Sequence, residues 1–137
     1  MSRKQSRYRR DALLVLKPTT DVAPMLFKAR YVHREGRWCT FAQVEVMHPE
    51  GIKTIDCGHV NIARSVVEVH QPLDKSDHHR MVCFVARVGT YWFHGDRRGN
   101  LMLERMSDVP SLWFDDSDTF ARAIKYIESI KGDSAKD

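Results

Sequence analysis

Residues 80–106 read RMVCFVARVGTYWFHGDRRGNLMLERM, the longest run of strand-forming character in the chain and the place where aromatic, basic and turn residues crowd together. Val82, Phe84, Ala86 and Val88 fall on one parity and Met81, Cys83 and Val85 on the other. Both faces are therefore apolar, as a central strand covered on both sides requires. Arg87 is the exception. Gly89-Thr90 reads as a two-residue turn with Gly at the position needing positive φ, which folds Tyr91 to His94 back beside Met81 to Val88. The alternative is one strand of about fourteen residues with a bulge at Gly89. Gly95 to Asn100 then forms a polar loop, and Leu101 to Met106 a further strand.

Upstream, Ala12 to Lys17 reads as a short strand ended by Pro18. Met25 to His33 and Trp38 to Met47 form a hairpin whose loop offers Gly36 for a left-handed position. In the second strand Trp38, Thr40, Ala42, Val44 and Val46 are assigned to the core, and Cys39, Phe41, Gln43, Glu45 and Met47 to the opposite face. His48-Pro49-Glu50-Gly51 suits a type I turn. Ile52 to Ile62 continues as strand, interrupted near Gly58, and Val66 to His70 as another, followed by a surface loop over Gln71 to His79.

The period changes at the end of the chain. Ser107 to Trp113 is a connector containing Pro110, and Asp116-Ser117-Asp118 is rich in helix-starting residues. Phe120, Ala123, Ile124, Ile127 and Ile130 follow at helical spacing, with Arg122, Lys125, Glu128 and Lys131 on the wet side and Gly132 as the stop. The segments predict an α+β fold: a mostly antiparallel sheet of about six to eight strands, flat or curled toward a barrel, with one C-terminal helix packed on it. One domain is expected over 11–132, preceded by a flexible basic arm over 1–10 and followed by a frayed tail over 133–137.

The net charge of +4 conceals an asymmetry. Arg3, Lys4, Arg7, Arg9 and Arg10 lie in the first ten residues without an acid, whereas residues 107–137 carry an excess of acids. A basic arm on a near-neutral body gives sequence-independent attraction to phosphate backbones, although it also suits a merely solvated terminus. The apolar run after the arm, Ala12 to Leu16, is too short for a signal-peptide core or a membrane span, so the expected location is the cytoplasm and no membrane partner is expected.

Three cysteines at wide spacing, Cys39, Cys57 and Cys83, read as reduced residues within strands. Cys57 and His59 would share a strand face, but the remaining histidines and cysteines match no zinc spacing, and no metal or cofactor is expected. Asp56, Cys57 and His59 do not form a nucleophile set either, because alternation sends Asp56 and Cys57 to opposite faces. His78-His79 and His94-Gly95-Asp96 are ordinary loop residues, and the acids at 115–118 serve a helix N-terminus. Phosphate-loop, dinucleotide-binding and hydrolase motifs are all missing from the sequence, so no catalytic residue is assigned and an enzyme is the less favoured reading.

Aromatic residues beside basic ones carry the functional expectation. Tyr91, Trp92, Arg97 and Arg98 cluster at one loop, and Arg34, Arg37 and Trp38 at another. Bases stack on aromatic rings while arginines hold phosphates, so the two loops, with the basic arm, read as a nucleic-acid-binding surface. Trp, Tyr and Arg are also the residues of protein interfaces. The alternative is therefore a subunit, adaptor or inhibitor of a larger protein complex, using these loops or the acidic segment 108–118.

Overall fold

The computed structural model describes the backbone of residues 3–48, 51–54 and 59–136, and the side chains of 13–47 and 60–132. Helix α1 (Arg3–Val22) leads into strands β1 (Met25–Glu35), β2 (Trp38–His48), β3 (Gly51–Thr54) and β4 (His59–Ala63). Helix α2 (Arg64–His70) and a single 3-10 turn (Lys75–Asp77) follow. Then come β5 (Met81–Phe93), β6 (Asp96–Leu103), β7 (Leu112–Phe114) and helix α3 (Ser117–Lys136). The described strands form one seven-stranded sheet in which every pairing is antiparallel, the α+β class expected.

The central path runs β3-β2-β1-β5-β6, with β4 on β2 and β7 on β5. β1 meets β5 only between Met25–Arg30 and Met81–Ala86. Beyond that shared segment β1 and β2 extend in one direction, and β5 and β6 in the other.

Both faces of β5 are buried between Val82 and Val88, as the alternation there demands. Val82, Phe84, Ala86 and Val88 join Phe27, Tyr31, Phe41, Val44 and Val46 in the larger core, closed by Leu13 of α1 and Val67 of α2. Phe27 and Phe84 stack within it, 5.4 Å between centroids. Cys83 and Val85 point the other way, into a smaller core with Leu26, Trp113, Ala123 and Ile127. The stripe on α3 thus packs on the sheet, and the Asp116 carboxylate accepts from the Thr119 hydroxyl (2.6 Å) and the backbone of Asp118 and Thr119 at the helix start. Arg87, the polar exception on β5, donates to Glu104 (2.6 Å) and to the Thr20 carbonyl at the end of α1 (2.9 Å).

Several sequence expectations are corrected. Ala12 to Lys17 is helical, part of α1, and Pro18 lies inside that helix. The run was too short for its period to separate strand from helix, and packing of Leu13 on the sheet decides it. The backbone of Arg3 to Arg10, expected as an arm, is the first half of the same helix. Val66 to His70 belongs to α2 rather than to a strand, with Val67 buried and Val66 and Val69 exposed. Leu112 and Trp113, expected in a connector, form β7. Gly132 does not stop α3, which continues to Lys136 through the segment read as a frayed tail.

The face assignment of β2 is half right. Pairing jumps from Lys28–Glu45 to Arg30–Ala42, so Gln43 and Val44 both oppose Ala29. This β-bulge, with Gln43 left-handed at φ 56°, switches the parity that points inward: Cys39 and Phe41 before it and Val44 and Val46 after it all enter the larger core. The hairpin loop is Gly36-Arg37, and Gly36 is left-handed as expected. Pro49, Glu50 and the interruption near Gly58 lie outside the described residues. No described helix is long and apolar enough to cross a membrane.

Two substitutions test the packing. Ile127 is buried and Lys125 exposed, so Ile127→Ala should destabilise by about 2–4 kcal/mol in denaturant titration and Lys125→Ala by less than about 0.5 kcal/mol. Equal effects would detach α3 from the sheet. At Gly99 a Cβ would stand 2.9 Å from Leu13 Cβ and 3.4 Å from the Leu14 nitrogen, so Gly99→Ala must push α1 off β6. A loss of about 1–3 kcal/mol is expected, and an unchanged midpoint would refute the close approach.

Candidate nucleic-acid interface

Gly89-Thr90 does not turn the chain. β5 runs straight through it without a register shift, and the reversal comes at His94-Gly95, where both residues are left-handed (φ 51° and 81°). This is the two-residue hairpin geometry whose twist matches its strands. The segment expected as a polar loop is therefore the first part of β6, paired as Tyr91–Arg98, Trp92–Arg97 and Phe93–Asp96.

Alternation divides this hairpin into two faces. Tyr91, Phe93, Arg98 and Met102 share the face that carries Cys83 and Val85 lower down, while Trp92 and Arg97 share the face of Val88, on which α1 lies. The apolar side chains toward the turn are nonetheless open to solvent: Trp92 is 73% exposed, Phe93 46% and Tyr91 42%, and Met102, across from Arg87, 50%. The Arg98 guanidinium sits over the Phe93 ring at 4.5 Å. Neither Arg97 nor Arg98 has a carboxylate partner among the described residues.

Helix α1 brings the basic residues to the same end. The Val88 N–H donates to the Thr20 hydroxyl (3.0 Å), and Leu13 lies against Gly99, which pairs with Thr90. From Thr20 to Leu13 the axis thus advances toward the hairpin turn. The turns carrying Arg3, Lys4, Arg7, Arg9 and Arg10 continue that line.

The other predicted cluster sits elsewhere. Arg34, Arg37 and Trp38 belong to the β1–β2 hairpin, which leaves the shared central segment in the opposite direction from β5–β6. There an open groove of about 600 Å³ is lined by Arg37, Trp38, Ala63, Arg64, Ser65 and Glu68. Glu68 Oε1 accepts from Arg64 Nε (2.7 Å) and Arg34 Nη1 (3.0 Å), and these bonds, Arg64's first, hold its carboxyl below the usual range. Arg34 also donates to the Leu73 carbonyl, so it fixes the loop after α2. Arg37 and the half-exposed Trp38 remain open to solvent.

The residues weighed for chemistry are otherwise engaged. Asp115 pairs with Lys28 (2.7 Å) and Asp116 caps α3, and both stay exposed. His78 packs edge-on against Tyr31, and His79 meets Arg30. Among the described residues no three His, Cys, Asp or Glu side chains gather as a metal site, while Asp56 and Cys57 and the side chain of His59 lie outside them. Sequence reading missed Arg30, Gln43 and His79, whose mutual interactions span distant segments and left only the two-histidine pair as a signal.

Comparison of the chain with protein-family models, curated proteins and solved structures finds no match.

Burial pushes the Cys83 thiol up to about 12, with the Asp115 carboxylate adding to it, and burial also raises Cys39. Both are wholly buried. A thiol reagent at about pH 8 should leave both unlabelled in the native protein and label them after denaturation, as read by peptide mass mapping. Rapid native labelling of Cys83 would show that α3 opens readily.

Proposed function

We propose that this protein binds single-stranded nucleic acid and acts as a binding protein rather than as an enzyme, with the β5–β6 hairpin as its principal surface. The observation that carries the reading is the exposed Tyr91-Trp92-Phe93 run interleaved across the strands with Arg97 and Arg98. Exposed rings offer stacking platforms to successive bases, and arginines with no carboxylate partner among the described residues supply the phosphate contacts. The basic half of α1, directed to the same end, adds long-range attraction. Arg34, Arg37 and Trp38 form a separate, secondary contact at the other hairpin, with Arg34 positioning the loop.

The same stripe of Tyr91, Phe93 and Met102 favours one competing reading, a hot spot for a protein partner in a larger complex. A gel shift with short single- and double-stranded DNA and RNA across a salt series separates them. Single strands should bind more tightly, and Trp92→Ala should weaken binding by about tenfold, in line with a stacking contribution of about 1–3 kcal/mol per base. Deleting residues 1–10 should flatten the salt dependence, by about 0.7 in log–log slope for each phosphate that the helix no longer neutralises. Absence of any shift at low salt would transfer the hairpin to a protein partner.

A further inference from the structure

Among the described residues three non-glycine positions have a left-handed backbone, and two of them, Gln43 (φ 56°) and His79 (φ 73°), hold the same side chain. Arg30 donates through Nε to Gln43 Oε1 (3.2 Å), and its Nη1 lies 2.7 Å from His79 Nδ1. A guanidinium is only a donor, so His79 Nδ1 is the acceptor and the ring proton sits on Nε2. Arg30 therefore has two neutral partners, each keeping an unused donor: the Nε2–H of His79 and the NH2 of Gln43. Other N–H groups of Arg30 stay available as well.

The neighbouring cations are differently placed. Lys28, two residues along the same face of β1, is paired with Asp115, and Arg80 is paired with Asp77 (3.0 Å) while lying over Phe114. Glu45 stands across from Lys28, yet no carboxylate lies within ion-pairing distance of Arg30 among the described residues. Both strained positions are fixed by the backbone: Gln43 by the bulge on β2, His79 by its N–H donating to the Tyr31 carbonyl (2.7 Å). Glycine would occupy either conformation more easily. The chain instead keeps two polar side chains there, and strain of this kind is characteristic of functional positions.

We infer that Arg30, Gln43 and His79 form a binding site for a phosphoryl oxyanion, separate from the β5–β6 hairpin. Arg30 supplies the charge, and the two strained residues orient it and add neutral donors. The ligand is a phosphodiester of a bound strand or a phosphate monoester. Both present the same oxygens.

The test is titration with inorganic phosphate at constant ionic strength, followed by side-chain 15N NMR, with chloride as control. Phosphate should shift the Arg30 Nε, Gln43 Nε2 and His79 Nε2 signals saturably, and chloride should not. Arg30→Gln should weaken phosphate binding by at least about tenfold. Gln43→Gly should weaken it by a few-fold without lowering stability, since it removes the side chain and relieves the backbone. Identical shifts with chloride, or phosphate binding unchanged in Arg30→Gln, overturn the site whatever the hairpin binds. A short oligonucleotide then separates the sources. A phosphodiester ligand requires Arg30→Gln to weaken its binding too, and a monoester ligand requires that binding to stay the same.

Discussion

Burial of both faces of β5 between Val82 and Val88 is the constraint on which the architecture depends. A strand apolar on two sides needs a layer on each, and the helices supply them: α1 and α2 over the larger core, α3 over the smaller. Arg87 ties these layers to one another, joining the end of α1 to Glu104, whose other carboxylate oxygen lies 3.5 Å from the Tyr126 hydroxyl of α3. The strand runs on past its doubly buried segment. Its last residues form a hairpin whose rings stay open to solvent, and the candidate interface follows from β5 being longer than the stretch that the core buries on both faces.

The bulge at Gln43 has a comparable reach. Strict alternation along β2 would place Cys39 and Phe41 on the face opposite Val44 and Val46. One extra residue lets all four enter the same core, at the expense of a left-handed glutamine. The same residue then holds Arg30, so a local repair of side-chain parity and a polar contact on the outer face are one structural event.

Charge is distributed in keeping with this division. Around the lower sheet, acids and bases satisfy one another: Lys28 with Asp115, Arg80 with Asp77, Arg34 and Arg64 with Glu68. Partly exposed pairs of this kind contribute little stability but neutralise the surface. Arg97, Arg98 and Arg30 depart from the pattern: among the described residues none of them has a carboxylate within ion-pairing distance.

The sequence by itself determined what depends on neighbours along the chain. The apolar alternation of residues 81–88 marked a doubly covered strand, the spacing of Phe120, Ile124 and Ile127 marked α3, and Gly36 marked the first hairpin loop, because each signal is periodic or local. The aromatic and basic residues of the β5–β6 segment were legible as a cluster for the same reason, though not their faces. Tertiary structure decided the rest. Whether Ala12 to Lys17 and Val66 to His70 became strand or helix rested on what they pack against, since short apolar runs carry both periods equally well. The turn moved from Gly89 to His94-Gly95 because pairing with β6 continues past Gly89, and no local preference encodes the length of a partner strand. The hydrogen bonds of Arg30 with Gln43 and His79 join residues from separate segments, so they exist only once the sheet is assembled.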